Sequence, residues 1–174
     1  MKKFLKVFSI VLLAALILTG CEKGKEVKFD GEEGTITFNV KEDSKCKIST
    51  DEKDLRTPRE QGSLVCKDFK IGIEFNDDLD YFFDGDFNKL KEKRKSDYKD
   101  MKEVTFGDYK GIQYFYGGYN NYEIILQIKN NKKYFLSLSV YGKEDTEKAA
   151  KTAIKSEEVL DVLNNIVSIS TKEK

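Results

Sequence analysis

The 174-residue sequence predicts an α+β fold, an antiparallel β-sheet meander flanked by helices, on three observations. Segments KGIQYFYG, YEIILQI and KYFLSLSVY alternate their side chains with a period of two and are separated by GGYN and KNNK. The glycines and asparagines of those separators tolerate the positive φ that tight hairpins require. Before and after this block, apolar residues recur at helical spacing. The meander also reads as apolar on both sides. Ile112, Tyr114, Tyr116, Tyr122, Ile124, Leu126, Ile128, Tyr134, Leu136, Leu138 and Val140 fall on one face, and Phe115, Ile125, Phe135 and Tyr141 on the other. Two apolar faces both need cover, so the expected architecture is an α/β/α sandwich.

The chain opens with Lys2, Lys3 and Lys6, an apolar run from Val7 to Leu18, and the small residues Thr19 and Gly20 before Cys21. This is the layout of an export signal. A run of twelve residues rises only about 18 Å as a helix, against a hydrocarbon layer of about 30 Å, so a membrane-spanning anchor is not expected. Leu18-Thr19-Gly20-Cys21 resembles the lipobox of bacterial lipoproteins. The resemblance implies a signal peptide over residues 1–20, cut before a cysteine whose thiol carries lipid, and a mature protein anchored on the outer side of the cell membrane. Removing that segment leaves 28 basic against 31 acidic residues. A mildly acidic surface argues against nucleic acid or anionic lipid as the main partner. The 154 residues that remain suit one domain and leave no room for a second large one.

Residues 21–34 (CEKGKEVKFDGEEG) are charged and glycine-dotted, and read as the lipidated cysteine followed by a flexible tether. One domain is expected over residues 35–174. It starts with the alternating strand TITFNV, with a short strand at Cys46–Ser49 as its hairpin partner. A polar loop over residues 50–62 holds the only proline, Pro58, and the strand FKIGIEF follows. Phe83, Phe87, Leu90 and Met101 then fall on one side of a helix expected over residues 80–99. Its basic run KLKEKRK is interrupted by acids and reads as a solvated face rather than a membrane patch. After the meander, Glu144–Ile154 is expected to hold a short helix. A last helix begins near Ser156, whose hydroxyl and two following glutamates suit a helix N-terminus, with Val159, Leu160, Leu163 and Ile166 as its stripe.

This order resembles the PsbP/Mog1-like fold: an N-terminal hairpin, FKIGIEF leading into a helix, a meander introduced by GDYKGIQYFY, and the closing segment SEEVLDVLNNIVSIS. The resemblance covers about Thr35 to Ser170 and implies an α/β/α sandwich with a binding or assembly role. It carries over no residue-level role.

Histidine is absent, which removes His-based triads, His metal ligands and the usual general base near neutral pH. No glycine-rich phosphate loop and no GxSxG elbow occurs, so no cofactor is expected. The acidic stretch NDDLDYFFDGDFN offers weak calcium candidates in Asp84 and Asp86, with Asp77, Asp78 and Asp80 nearby. Read as an EF-hand loop it fails, because Lys89 and Lys95 stand where glycine and a bidentate glutamate are required. The simpler reading is that those acids cap and solubilise a helix start. Cys46 and Cys66 flank one polar loop outside the cytosol, where a disulfide can form; two free thiols are the alternative. Tyr119 and Tyr122, beside the GGYNN turn, are candidates for aromatic recognition, although strand alternation alone would place most of the nearby tyrosines. The expected activity is therefore binding: an accessory module for an envelope protein, or alternatively a receptor for a small ligand or wall glycan. A carboxylate-based hydrolase remains as a third class, which would need two acids converging in a cleft.

Overall fold

The computed structural model describes residues 24–172. In chain order these form β1 (Gly24–Asp30), β2 (Gly34–Lys41), β3 (Lys47–Ser49), β4 (Gly62–Val65), β5 (Phe69–Asn76), α1 (Asp78–Phe83), α2 (Phe87–Asp97), β6 (Lys102–Phe106), β7 (Tyr109–Tyr116), β8 (Asn121–Gln127), β9 (Phe135–Gly142), α3 (Glu147–Ala153), α4 (Glu157–Asn164) and β10 (Ile166–Thr171). The strands make two antiparallel sheets, a seven-stranded one ordered β3-β4-β5-β9-β8-β7-β6 and a three-stranded one ordered β1-β2-β10. The fold is α+β, with helices on both faces of the large sheet. Among the described residues no helix is long and apolar enough to cross a membrane.

The meander forms at the places its punctuation indicates. Asn120 and Asn130 take φ of 50° and 60° in the turns before β8 and after it. Both late helices carry side-chain caps, with Thr146 accepting from the Ala149 amide at 3.1 Å and Ser156 from the Val159 amide at 3.3 Å. Face parity differs from expectation in β7. Register sets Ile112 against Ile125 and Tyr114 against Glu123, so Ile112, Tyr114 and Tyr116 share the face of Ile125 and Phe135. One core lies on that face, where α1 and α2 bring Leu79, Phe87 and Leu90 onto Ile112, Ile125 and Phe135. The larger core lies on the opposite face, where Leu136, Leu138 and Val140 of β9 meet the small sheet and α4.

Several elements depart from the sequence reading. The tether expected over residues 21–34 contains β1, in which Lys25, Val27 and Phe29 turn inward while Glu26, Lys28 and Asp30 face solvent. The TITFNV strand pairs with β1 and β10 instead of with the Cys46–Ser49 strand, which pairs with β4. The helix expected over residues 80–99 is two helices. Asp84 and Gly85 take φ of 52° and 69° and end α1, and Asp86 caps α2 by accepting from the Asn88 amide at 2.8 Å. Strands β4 and β6 were not anticipated; β4 has only four residues, two of them Gly62 and Ser63, and three of the five residues of β6 are polar and exposed.

The two sheets approach closely at Gly34 and Gly62. A Cβ on Gly34 would lie 2.5 Å from the Phe75 ring, and one on Gly62 would lie 2.4 Å from the Phe29 ring. Each sheet thus offers a phenylalanine to a bare backbone position on the other. Cys46 and Cys66 stand with their sulfurs 2.02 Å apart, bonding distance, across a sequence separation of 20. Closing a loop of that length stabilises a fold by about 3 kcal/mol in the chain-entropy account. Replacing both residues (Cys46→Ala with Cys66→Ala) is expected to lower the unfolding free energy by about that amount in urea denaturation, and equal stability of the variant and the oxidised protein would exclude a structural bond.

Candidate functional site

The residues singled out from sequence are placed as follows. Cys21 lies outside the described residues. Tyr119 is 43% exposed and leans on Tyr116, with ring centroids 5.8 Å apart. Tyr122 pairs in register with Phe115 and tilts against its ring at 5.5 Å, on the sheet face opposite to Tyr116. The structure therefore does not bring Tyr119 and Tyr122 into one aromatic site. Asp84 pairs with Lys89, which holds its carboxyl below the usual range, and Asp86 is the α2 cap. Among the described residues no group of three or more acidic, histidine or cysteine side chains gathers as a metal site.

Two features sit where function can act. The first is α1. Its buried residue is Leu79, which plugs the helix onto the sheet, so the next turn swings Tyr81 and Phe82 out to 82% and 64% exposure. Their rings meet edge to face, 4.7 Å apart, and Asp77, Asp80 and Asp84 stand exposed around them. Exposed aromatic pairs rimmed by charge are a common form of protein-docking surface.

The second is a polar strip across the helical face of the large sheet, between the α1–α2 cover and the loop of residues 50–61. Alternation in β5, β9 and β8 points Glu74, Ser137, Ser139 and Glu123 to this face. Glu123 accepts hydrogen bonds from the Ser137 and Ser139 hydroxyls, the latter at 2.9 Å, and from the Asn121 amide at 2.9 Å. Glu74 lies in register with Ser137 and accepts from Asn76 at 2.7 Å. Burial pushes the Glu74 carboxyl up to about 7, partly opposed by the Asn76 hydrogen bond and reinforced by the nearby Glu123 charge. On one side of the strip, Tyr114 faces Glu123 across the β7–β8 ladder and stacks on Tyr98 of the α2 end at 4.1 Å. Arg94 lies 5.9 Å from the Tyr114 ring centre, and its buried Nε has no partner. On the other side, the buried Glu60 accepts from the Tyr141 hydroxyl, while Arg56 and Lys70 lie against the Tyr141 ring. Arg56 also pairs with Asp145 at 3.2 Å, tying the loop to the turn before α3.

A further cleft of about 410 Å³ opens beside the cysteine pair, between Lys41, Lys45 and Lys67 on one hand and Asp161 and Glu158 of α4 on the other. Its charges are mixed, and it selects no ligand chemistry by itself.

Sequence reasoning missed Glu74, Asn121 and Glu123. The available signal was the lone acid inside each of the apolar strands FKIGIEF and YEIILQI, at positions that share one face once the register is known. Comparison of this chain with family models, with curated proteins and with solved structures finds no match in any of the three.

Glu74 makes stability depend on pH. Its carboxyl in the fold stands above the ordinary value of 4.5, so the folded protein holds a proton that the unfolded chain gives up. That stabilisation is complete below the ordinary value and is lost as pH rises through about 7. Thermal unfolding of wild type and Glu74→Gln across this window is expected to show wild type losing stability toward higher pH and the variant staying flatter. Parallel curves would remove Glu74 as the source.

Proposed function

We propose that this chain is a protein lipid-anchored to the cell membrane, facing outside the cytoplasm, that acts as a non-catalytic accessory module, docking an envelope partner through Tyr81 and Phe82. The observation that carries this reading is the exposed aromatic pair of α1 within its acidic rim. Leaving two large rings in water forgoes about 25 cal/mol for each Å² of apolar surface that a partner would cover. The rim selects the partner: a face with an apolar recess framed by lysine or arginine, for which Asp77 and Asp80 supply complementary charge. Anchoring follows from Cys21 in its lipobox-like setting, and two or three acyl chains on that residue hold a protein stably on a bilayer. The resemblance to the PsbP/Mog1-like group agrees with an assembly role and assigns no residue.

The test is crosslinking on intact cells with wild type, Tyr81→Ser/Phe82→Ser and Cys21→Ser, with captured proteins identified by mass spectrometry. Wild type is expected to capture one envelope protein in a salt-sensitive manner. The aromatic variant should lose that capture at unchanged melting temperature, and Cys21→Ser should leave the membrane fraction. Undiminished capture by the aromatic variant would overturn the docking surface.

A further inference from the structure

The Cys46–Cys66 pair borders the cleft of about 410 Å³ instead of being sealed inside a core. Three parts of the chain form that cleft: the 40–46 segment leading from β2 to β3, the 66–69 segment leading from β4 to β5, and Glu158, Asp161 and Val162 of α4. The two cysteines are unequally covered. Cys46 is 8% exposed, whereas Cys66 is only partly buried, so a reagent in the cleft meets Cys66 more readily. A disulfide is exchanged by a thiolate that can reach one of its sulfurs, and access therefore governs the rate.

A second observation concerns what the bond holds. Among the described residues, the stretch 47–63 between the cysteines has no fully buried apolar side chain. Its strand, β3, stands at the edge of the large sheet and pairs with β4 over three residues. The loop that follows is held by polar contacts: Lys70 Nζ and Ser63 Oγ donate to the Asp54 carbonyl at 2.5 and 3.2 Å, Arg56 pairs with Asp145, and Glu60 accepts from the Tyr141 hydroxyl. A segment with so little apolar anchorage opens locally at low cost once its covalent tie is gone.

We propose that the Cys46–Cys66 bond is a thiol-exchange site, at which a low-molecular-weight thiol enters the cleft, is captured as a mixed disulfide on Cys66 and loosens the 47–63 segment. The incoming thiolate sulfur bonds to Cys66 Sγ as the Cys46–Cys66 bond breaks. The electron pair of that bond leaves with Cys46 Sγ, which takes a proton from solvent. One disulfide replaces another, so no external oxidant or reductant enters the step. The reverse needs none either: the Cys46 thiolate attacks Cys66 Sγ, expels the captured thiolate and restores the bond. Lys45 and Lys67 line the cleft together with Asp43 and Asp68, so size and reach, not charge, select the thiol.

The test treats the full chain in detergent, without denaturant, with 2-mercaptoethanol or with a thiol-terminated polyethylene glycol too large for the cleft. Intact mass and peptide mapping read the adduct, and amide hydrogen exchange reads the β3–β4 ladder. The small thiol is expected to add once, on Cys66, leaving Cys46 open to alkylation, while the polymer thiol reacts slower by about tenfold or more because it lacks access. The adduct should raise exchange in β3 and leave β5, β8 and β9 protected. Cys46→Ala with Cys66→Ala should show the same fast β3 with no thiol added. Reaction only in urea, an adduct chiefly on Cys46, equal rates for the two thiols, or unchanged exchange in β3 would each overturn the proposal. So would alkylation of both cysteines in denaturant before any thiol is added. None of these outcomes bears on the α1 docking surface, which lies on another element.

Discussion

Every layer of this fold depends on β9 being buried along its whole length. Its eight residues, FLSLSVYG, are all buried, and it is hydrogen-bonded on one side to β5 and on the other to β8. It is where the first half of the chain meets the meander of the second half. Leu136, Leu138 and Val140 give one face to the main core, while Phe135, Ser137, Ser139 and Tyr141 give the other to the helical face. The strand therefore enters an apolar core and builds a polar strip at the same time. A branched residue in place of either serine would fill the ground on which the two glutamates sit.

The second organising contact is between the sheets. Phenylalanines of each sheet lie over glycines of the other, which lets the three-stranded sheet close on the large one with little intervening space. With α4, that sheet occupies the layer that helices alone were expected to fill. Both solutions satisfy the same demand, to remove the Leu/Ile/Val face of β5, β8 and β9 from water.

Local chemistry was the legible part of the sequence. Asparagine turns, the Ser156 cap and the alternation in β7, β8 and β9 each depend on neighbours a few residues away, and each appears where its pattern stands. Of the stripe expected for α4, only Val159 and Leu163 are buried in the helix; Leu160 is exposed, Ile166 belongs to β10 and Val162 takes the third buried place. What depends on distant pairing was not legible. Strand β1 looked like a tether because its outward half is all charge and only Val27 and Phe29 mark the inward half. The parity of β7 was misread because both of its faces are apolar, so only the register with β8 decides which tyrosines go with which isoleucines. The candidate strip escaped for the same reason, since Glu74 and Glu123 come onto one sheet face only after β9 has inserted between their strands. The exposure of Tyr81 and Phe82 was hidden by a helix break at Asp84 and Gly85 that a single continuous stripe did not foresee.

The early start of β1 governs how the domain stands on a surface. Only two residues separate Cys21 from Gly24, and three residue steps reach about 10 Å at full extension. If lipid is attached at Cys21, the paired ends of β1 and β2, at Gly24 and Lys41, ride directly against the headgroups. A long leash lets a domain sample many heights and tilts; a leash this short leaves mainly rotation about the membrane normal and sliding in the plane. Encounters with other membrane proteins then become a two-dimensional search at nearly fixed height, in which a partner must present its binding face at one level above the bilayer.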